Sequence, residues 1–163
     1  MILIGVGSNL PSPKFGTPLQ TCEAALAELQ KRGVKVSRRS RWYESAPVPV
    51  SDQPWFVNAV AAVETDLSPE ALLALVHEIE AEFGRVRRTR DEARILDLDL
   101  LVYNDLVNQR PPILPHPRMH QRSFVLLPLA ELAPDWRHPA NGEPIAKLIA
   151  ALAPDQIARP MGS

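Results

Sequence analysis

Apolar positions along this chain switch between two periodicities, and the switch points mark out its elements. Residues 2–7 form an apolar run closed by Gly7-Ser8-Asn9, which predicts a first strand and a turn. Behind a Thr17-Pro18 start, Leu19, Cys22, Leu26 and Leu29 recur at helical spacing until Gly33. Residues 34–45 favour extended structure, through Val34, Val36 and Trp42-Tyr43. The proline-rich stretch 46–54 cannot be regular and is a candidate binding loop. Residues 55–65 then alternate. Phe56, Asn58, Val60 and Ala62 take one face, and Val57, Ala59, Ala61 and Val63 the other. Ser68-Pro69-Glu70 opens a second capped helix with Leu72, Val76, Ile79 and Phe83 on its apolar stripe, ended by Gly84. A further strand spans 97–103, and Asn104-Asp105 turns into a short return strand at 106–108. Beyond it, frequent prolines leave room only for short helices, the last at 143–151.

The order β-α-β-β-α-β predicts a ferredoxin-like α+β fold: an antiparallel sheet with helices on one face, plus a C-terminal helical tail. With 163 residues, no internal repeat and no linker, one domain over 1–163 is expected. Composition adds exclusions. A net charge of −1 argues against a general nucleic-acid binder, because the basic charge is local. No apolar stretch approaches the ~20 residues that span a membrane, and residues 1–7 read as a strand rather than a leader, so a cytoplasmic protein is expected. Cys22 is the lone cysteine, which excludes an intramolecular disulfide and a cysteine zinc site. Nothing in the pattern demands more than a monomer.

The charge that matters is concentrated. Arg85, Arg87, Arg88, Arg90 and Arg94 precede Leu96-Asp97-Leu98-Asp99-Leu100. On a strand Asp97 and Asp99 share one face about 7 Å apart, with Leu98 and Leu100 turned to the core. Paired oxygen ligands of this kind suit Mg²⁺ completed by substrate phosphates, and arginine forks suit the phosphates themselves. A D-x-D pair alone is common on solvated loops; the arginine cluster and a second segment favour the Mg²⁺–nucleotide reading. That segment, Leu114 to Phe124, holds His116 and Arg122 as a candidate phosphate clamp ahead of Phe124. The chain has neither a P-loop nor a G-x-G-x-x-G, so any nucleotide is held without those devices.

Several motifs then occur in order: Gly7-Ser8-Asn9-Leu10, Tyr43-Glu44-Ser45, Asp52-Gln53-Pro54-Trp55-Phe56-Val57-Asn58-Ala59, Gly84-Arg85, Arg94-Ile95-Leu96-Asp97-Leu98-Asp99 and Pro115-His116-Pro117-Arg118-Met119. From about residue 2 to residue 135 the chain closely resembles the 6-hydroxymethyl-7,8-dihydropterin pyrophosphokinases of folate biosynthesis. The resemblance implies transfer of the diphosphoryl group of ATP to the hydroxymethyl oxygen of the pterin, releasing AMP. It implies two Mg²⁺ ions on Asp97 and Asp99, and Arg85 and Arg94 as loop arginines acting on the phosphates. His116, Arg122, Leu100, Arg87 and His77 fall at ATP-contacting positions, although His77 can equally face solvent. Ser45, Phe56, Asn58 and Phe124 match the pterin pocket. Small-molecule substrates, with no nucleic acid and no membrane, are the implied partners. The arginine loop departs from the family, reading Arg90-Asp91-Glu92-Ala93-Arg94 where relatives often have R-W-G-P-R. Two other classes fit the residues less well: a nucleotide-sensing module, which has no need of a pterin pocket, and a Mg²⁺-dependent nuclease, which the near-neutral charge disfavours.

Overall fold

The N-terminal apolar run forms β1 (Ile2–Ser8), the strand on which the sheet is built. The structure, a computed structural model, describes residues 1–84 and 94–162. Helix α1 (Pro18–Lys31) starts from a capping box in which the Thr17 hydroxyl accepts the Gln20 N–H and the Gln20 amide accepts the Thr17 N–H. Strands β2 (Lys35–Arg39) and β3 (Tyr43–Ser45) follow, then β4 (Phe56–Glu64), α2 (Pro69–Glu82) behind its Ser68 cap, and β5 (Asp97–Tyr103). Helices α3 (Ser123–Leu132) and α4 (Ile145–Ala150) and a short β6 (Ala158–Pro160) complete the described chain.

All pairings are antiparallel, in the order β5-β1-β4-β3-β6, with β2 also on β4. This is the expected ferredoxin-like arrangement, with three differences. The extended segment 34–45 is two strands rather than one. The Ser40 hydroxyl takes the Val60 N–H at 3.1 Å and donates to the Arg41 carbonyl, so a side chain replaces the ladder and the chain bends. The return strand expected at 106–108 is absent: only an isolated bridge joins Asn108 to Leu114. Pro111 and Pro112, lying between, have no N–H to extend that ladder. The third difference is that helices cover both sheet faces. Ile2, Ile4, Val6, Leu98 and Leu100 pack with α1 and α2, whereas Leu3, Val60, Leu101 and Val102 pack with α3 and α4. Leu3 and Ile4 are adjacent and both fully buried, and an unbroken apolar strand requires cover on each side.

The helices of the first face sit on Leu29, Leu72, Val76 and Ile79, all at 0% exposure. Truncating one of the large side chains among them costs about 2–5 kcal/mol. That anchoring holds α2 against β5 and leaves the far face of β4 and β5, beneath the start of α3, to form a cavity. No helix among the described residues is long and apolar enough to cross a membrane.

Candidate active site

The floor of the cavity is the outward face of β5. Asp97 and Asp99 share it, each about one-fifth exposed at the side chain. An arginine stands over each: Arg94 lies 3.4 Å from Asp97 Oδ2 and Arg122 3.9 Å from Asp99 Oδ2. The amide between the two aspartates is also fixed, because Glu80 of α2, 3% exposed, accepts the Leu98 N–H at 2.8 Å. β5 is an edge strand, and an edge N–H otherwise faces solvent or a stray strand. A buried carboxylate therefore locks the strand at the point where both acidic side chains leave it.

Arg94 is placed by the turn after β1. Its carbonyl accepts the N–H groups of Asn9 and Leu10, and its own N–H donates to Asn9 Oδ1 at 2.7 Å. The Asn9 amide nitrogen meanwhile donates to Gln53 Oε1 and the Pro54 carbonyl, which ties the proline-rich loop to the same point. Asn9 is 1% exposed. Gly7-Ser8-Asn9, an ordinary turn sequence, is a staple that ties Arg94 to the proline-rich loop.

The other wall is a polar-tipped aromatic slot. The Ser45 hydroxyl donates to Asn58 Oδ1 at 2.6 Å, which fixes the orientation of the Asn58 amide. Gly7 leaves the space for that amide: a Cβ there would lie 2.8 Å from Asn58 Nδ2. Phe56 and Phe124 line the same cavity as Ser45 and Asn58, and the Arg122 guanidinium lies 5.4 Å from the centre of the Phe124 ring. Arg94, Asp97 and Arg122 also line this cavity, so the slot and the charged floor are continuous.

Burial and neighbouring charge tune the clamp. His116 is pushed down to about 4, chiefly by burial and then by the Arg122 cation, against the pull of Asp97. Its Nδ1 accepts the Arg118 N–H at 3.1 Å, so the neutral ring carries its proton on Nε2. Burial also presses the Arg122 guanidinium down, while Asp99 lifts it.

The expected site residues are distributed unequally. Ser45, Phe56, Asn58, Arg94, Asp97, Arg122 and Phe124 meet in one cavity, with Asp99 two residues along the same strand face and His116 close enough to feel Arg122 and Asp97. Leu100 is buried with the α1 and α2 core on the opposite face, and His77 is exposed on α2. Arg85 and Arg87, with Arg88 and Arg90, lie outside the described residues. Asn9, Glu80, Arg118 and Gln156 belong to the surroundings of the site without having been singled out from the sequence. Asn9 and Arg118 carried a signal, each through its place in a sequence motif.

Among the described residues no cluster of three or more His, Cys, Asp or Glu side chains could hold a metal. The donor set offered is two carboxylates and no sulfur or clustered imidazole. That fits Mg²⁺, which takes one or two carboxylates and fills its other positions from phosphate and water, and it does not fit a structural zinc.

A family model described as 7,8-dihydro-6-hydroxymethylpterin-pyrophosphokinase matches residues 3–134. The chain is 39% identical over 164 residues to a 2-amino-4-hydroxy-6-hydroxymethyldihydropteridine pyrophosphokinase of Pseudomonas aeruginosa, covering 99% of this chain and 98% of that protein. Its counterpart in Haemophilus influenzae is 41% identical over 152 residues, covering 92% and 91%. The Folic acid synthesis protein fol1 of Pneumocystis carinii is 40% identical over 146 residues, 89% of this chain but only 19% of that longer protein. The chain thus spans about a fifth of that fungal relative and nearly all of the two bacterial ones.

Proposed function

Because the chain belongs to the 7,8-dihydro-6-hydroxymethylpterin-pyrophosphokinase family, we propose that the cavity between β4, β5 and α3 is where its reaction occurs. The enzyme transfers the diphosphoryl group of ATP to the hydroxymethyl oxygen of 6-hydroxymethyl-7,8-dihydropterin in folate biosynthesis, releasing AMP. One observation carries the placement: a slot with two phenylalanines and a fixed amide opens directly onto two carboxylates flanked by arginines.

In this reading Phe56 and Phe124 sandwich the flat ring, and Asn58, oriented by Ser45, reads its polar edge. Asp97 and Asp99 hold two Mg²⁺ ions, which supply charge neutralisation and alignment of the triphosphate when bound. Arg94 and Arg122 give fixed positive charge to the phosphate oxygens through planar forks. His116, neutral at ordinary pH, donates from Nε2 to a phosphate oxygen. Arg85 joins Arg94 in acting on the transferring group, and Arg87 completes the ATP contacts; Leu100, in the core on the opposite face, and His77, exposed on α2, take no part. Little covalent chemistry is asked of the protein, so positioning and electrostatics supply most of the rate. The enzyme works as a one-domain cytoplasmic monomer.

Incubation with ATP, Mg²⁺ and the hydroxymethyl-dihydropterin tests the reading. AMP should form in a one-to-one ratio with pterin diphosphate. ADP as the nucleotide product, or turnover unaffected by a chelator, would overturn it.

A further inference from the structure

The family match ends at residue 134, yet the chain beyond it returns to the cavity. After α4 a tight turn, in which the Gln156 N–H reaches the Ala153 carbonyl, delivers residues 156–158 between two walls of the site. On one wall the Ala46 N–H donates to the Ile157 carbonyl at 3.0 Å and Ala158 pairs with Ser45. On the other, Gln156 Oε1 accepts the Ser123 N–H at 3.0 Å and its hydroxyl at 3.5 Å.

Ser123 is the first residue of α3, and the residue in the capping position, Arg122, makes no side-chain capping bond. The first N–H groups of a helix have no intrahelical partner. Gln156 supplies one from 33 residues away. The residues on either side of Ser123 are Arg122, which stands over Asp99, and Phe124, which lines the slot. Rotating the first turn of α3 would move both together.

We infer that Gln156 is a positioning residue for this enzyme: its side-chain carbonyl pins Ser123 and so sets the separation of Phe124 from the Ser45 wall and of Arg122 from Asp99. The inference rests on the reading of this cavity as the substrate site. The tail is then a strap across the pocket, hydrogen-bonded to β3 on one side and to α3 on the other.

The roles of acceptor and donor separate by substitution. Q156A removes the acceptor and should raise the KM for the pterin about tenfold and lower kcat at least threefold. Q156E keeps an oxygen in place and should stay within threefold of the parent in both. Ser123→Pro removes the N–H itself. Proline is accepted at a first helical position, and Arg122 at φ −113° and ψ 114° already has the extended backbone that a following proline requires. In that background Q156A should add less than a twofold effect, and S123P alone reports the lesion if Q156A proves too unstable to assay. Q156A within twofold of the parent in every constant would overturn the inference, as would Q156E being as impaired as Q156A. Failure of the parent to make AMP would instead overturn the reading of the cavity.

Discussion

Gly7→Ala adds one methyl group to the strand beneath the pterin slot, and the structure sets what that methyl meets. The new Cβ would stand 2.8 Å from Asn58 Nδ2, where ordinary contact begins near 3.4 Å, so about 0.6 Å must be found. A terminal amide can usually swing that far at little cost. This one is 5% exposed and is held through Oδ1 to the Ser45 hydroxyl at 2.6 Å. Moving it gives up a buried hydrogen bond worth about 1 kcal/mol, and overpacking a tight site costs about 1–3 kcal/mol. A stability loss of about 1–3 kcal/mol is therefore expected. The displaced amide should also raise the KM for the pterin ten- to a hundredfold, about 1.4–2.8 kcal/mol of binding. The KM for ATP should hold within twofold, because the nearest atoms to the added Cβ belong to Asn58 and Val57, on the slot side, although Gly7 itself pairs with Asp97 through the backbone. Gly5→Ala on the same strand is the control. Its Cβ meets a terminal methyl of Leu101 at 3.3 Å, which yields more easily, so both constants should be unchanged. Steady-state kinetics by AMP release, with urea unfolding of each variant, decides the matter. A pterin KM unmoved in Gly7→Ala, or both KM values rising together, would refute the claim that Gly7 exists to let Asn58 stand where it does.

Asp97→Asn and Asp99→Asn, measured by kcat at saturating Mg²⁺, should each lose at least a thousandfold while melting near the parent temperature, since both side chains are partly exposed. Asn9→Ala removes one acceptor and two donor bonds at a buried position, and urea unfolding should show a loss of about 2–3 kcal/mol together with a fall in kcat through Arg94. Stability should also fall with acid. His116 sits at about 4 in the folded chain and near its ordinary value of 6.5 when unfolded. The unfolded state therefore binds the extra proton between those values, and the contribution is lost as pH drops from about 6.5 towards 4, by no more than about 3 kcal/mol. His138 is depressed in the same direction by burial and by His120. In His116→Asn the acid slope measured by chemical unfolding should be shallower; an identical slope would remove His116 as its source.

Much of the framework was legible in the chain alone. Helix starts at Thr17 and Ser68 follow from short-range hydrogen bonds between residues three apart, which local sequence specifies completely. The side-chain alternation of β4, and Asp97 and Asp99 on one face of β5, follow from the two-residue period of a strand. Even the cover on both sheet faces is written in the adjacent apolar residues Leu3 and Ile4, which a strand turns to opposite sides.

Tertiary structure decided the contacts that join residues distant in sequence. Asn9 holds Arg94 across 85 residues, Glu80 secures Leu98 across 18, and Gln156 reaches Ser123 across 33. Each is a polar side chain bonded to a backbone group, and such a bond leaves no periodic trace because backbone amides are the same at every position. Hydrophobic period tells which face of an element is buried. Only the folded chain tells which carbonyl or amide a buried polar group will meet there.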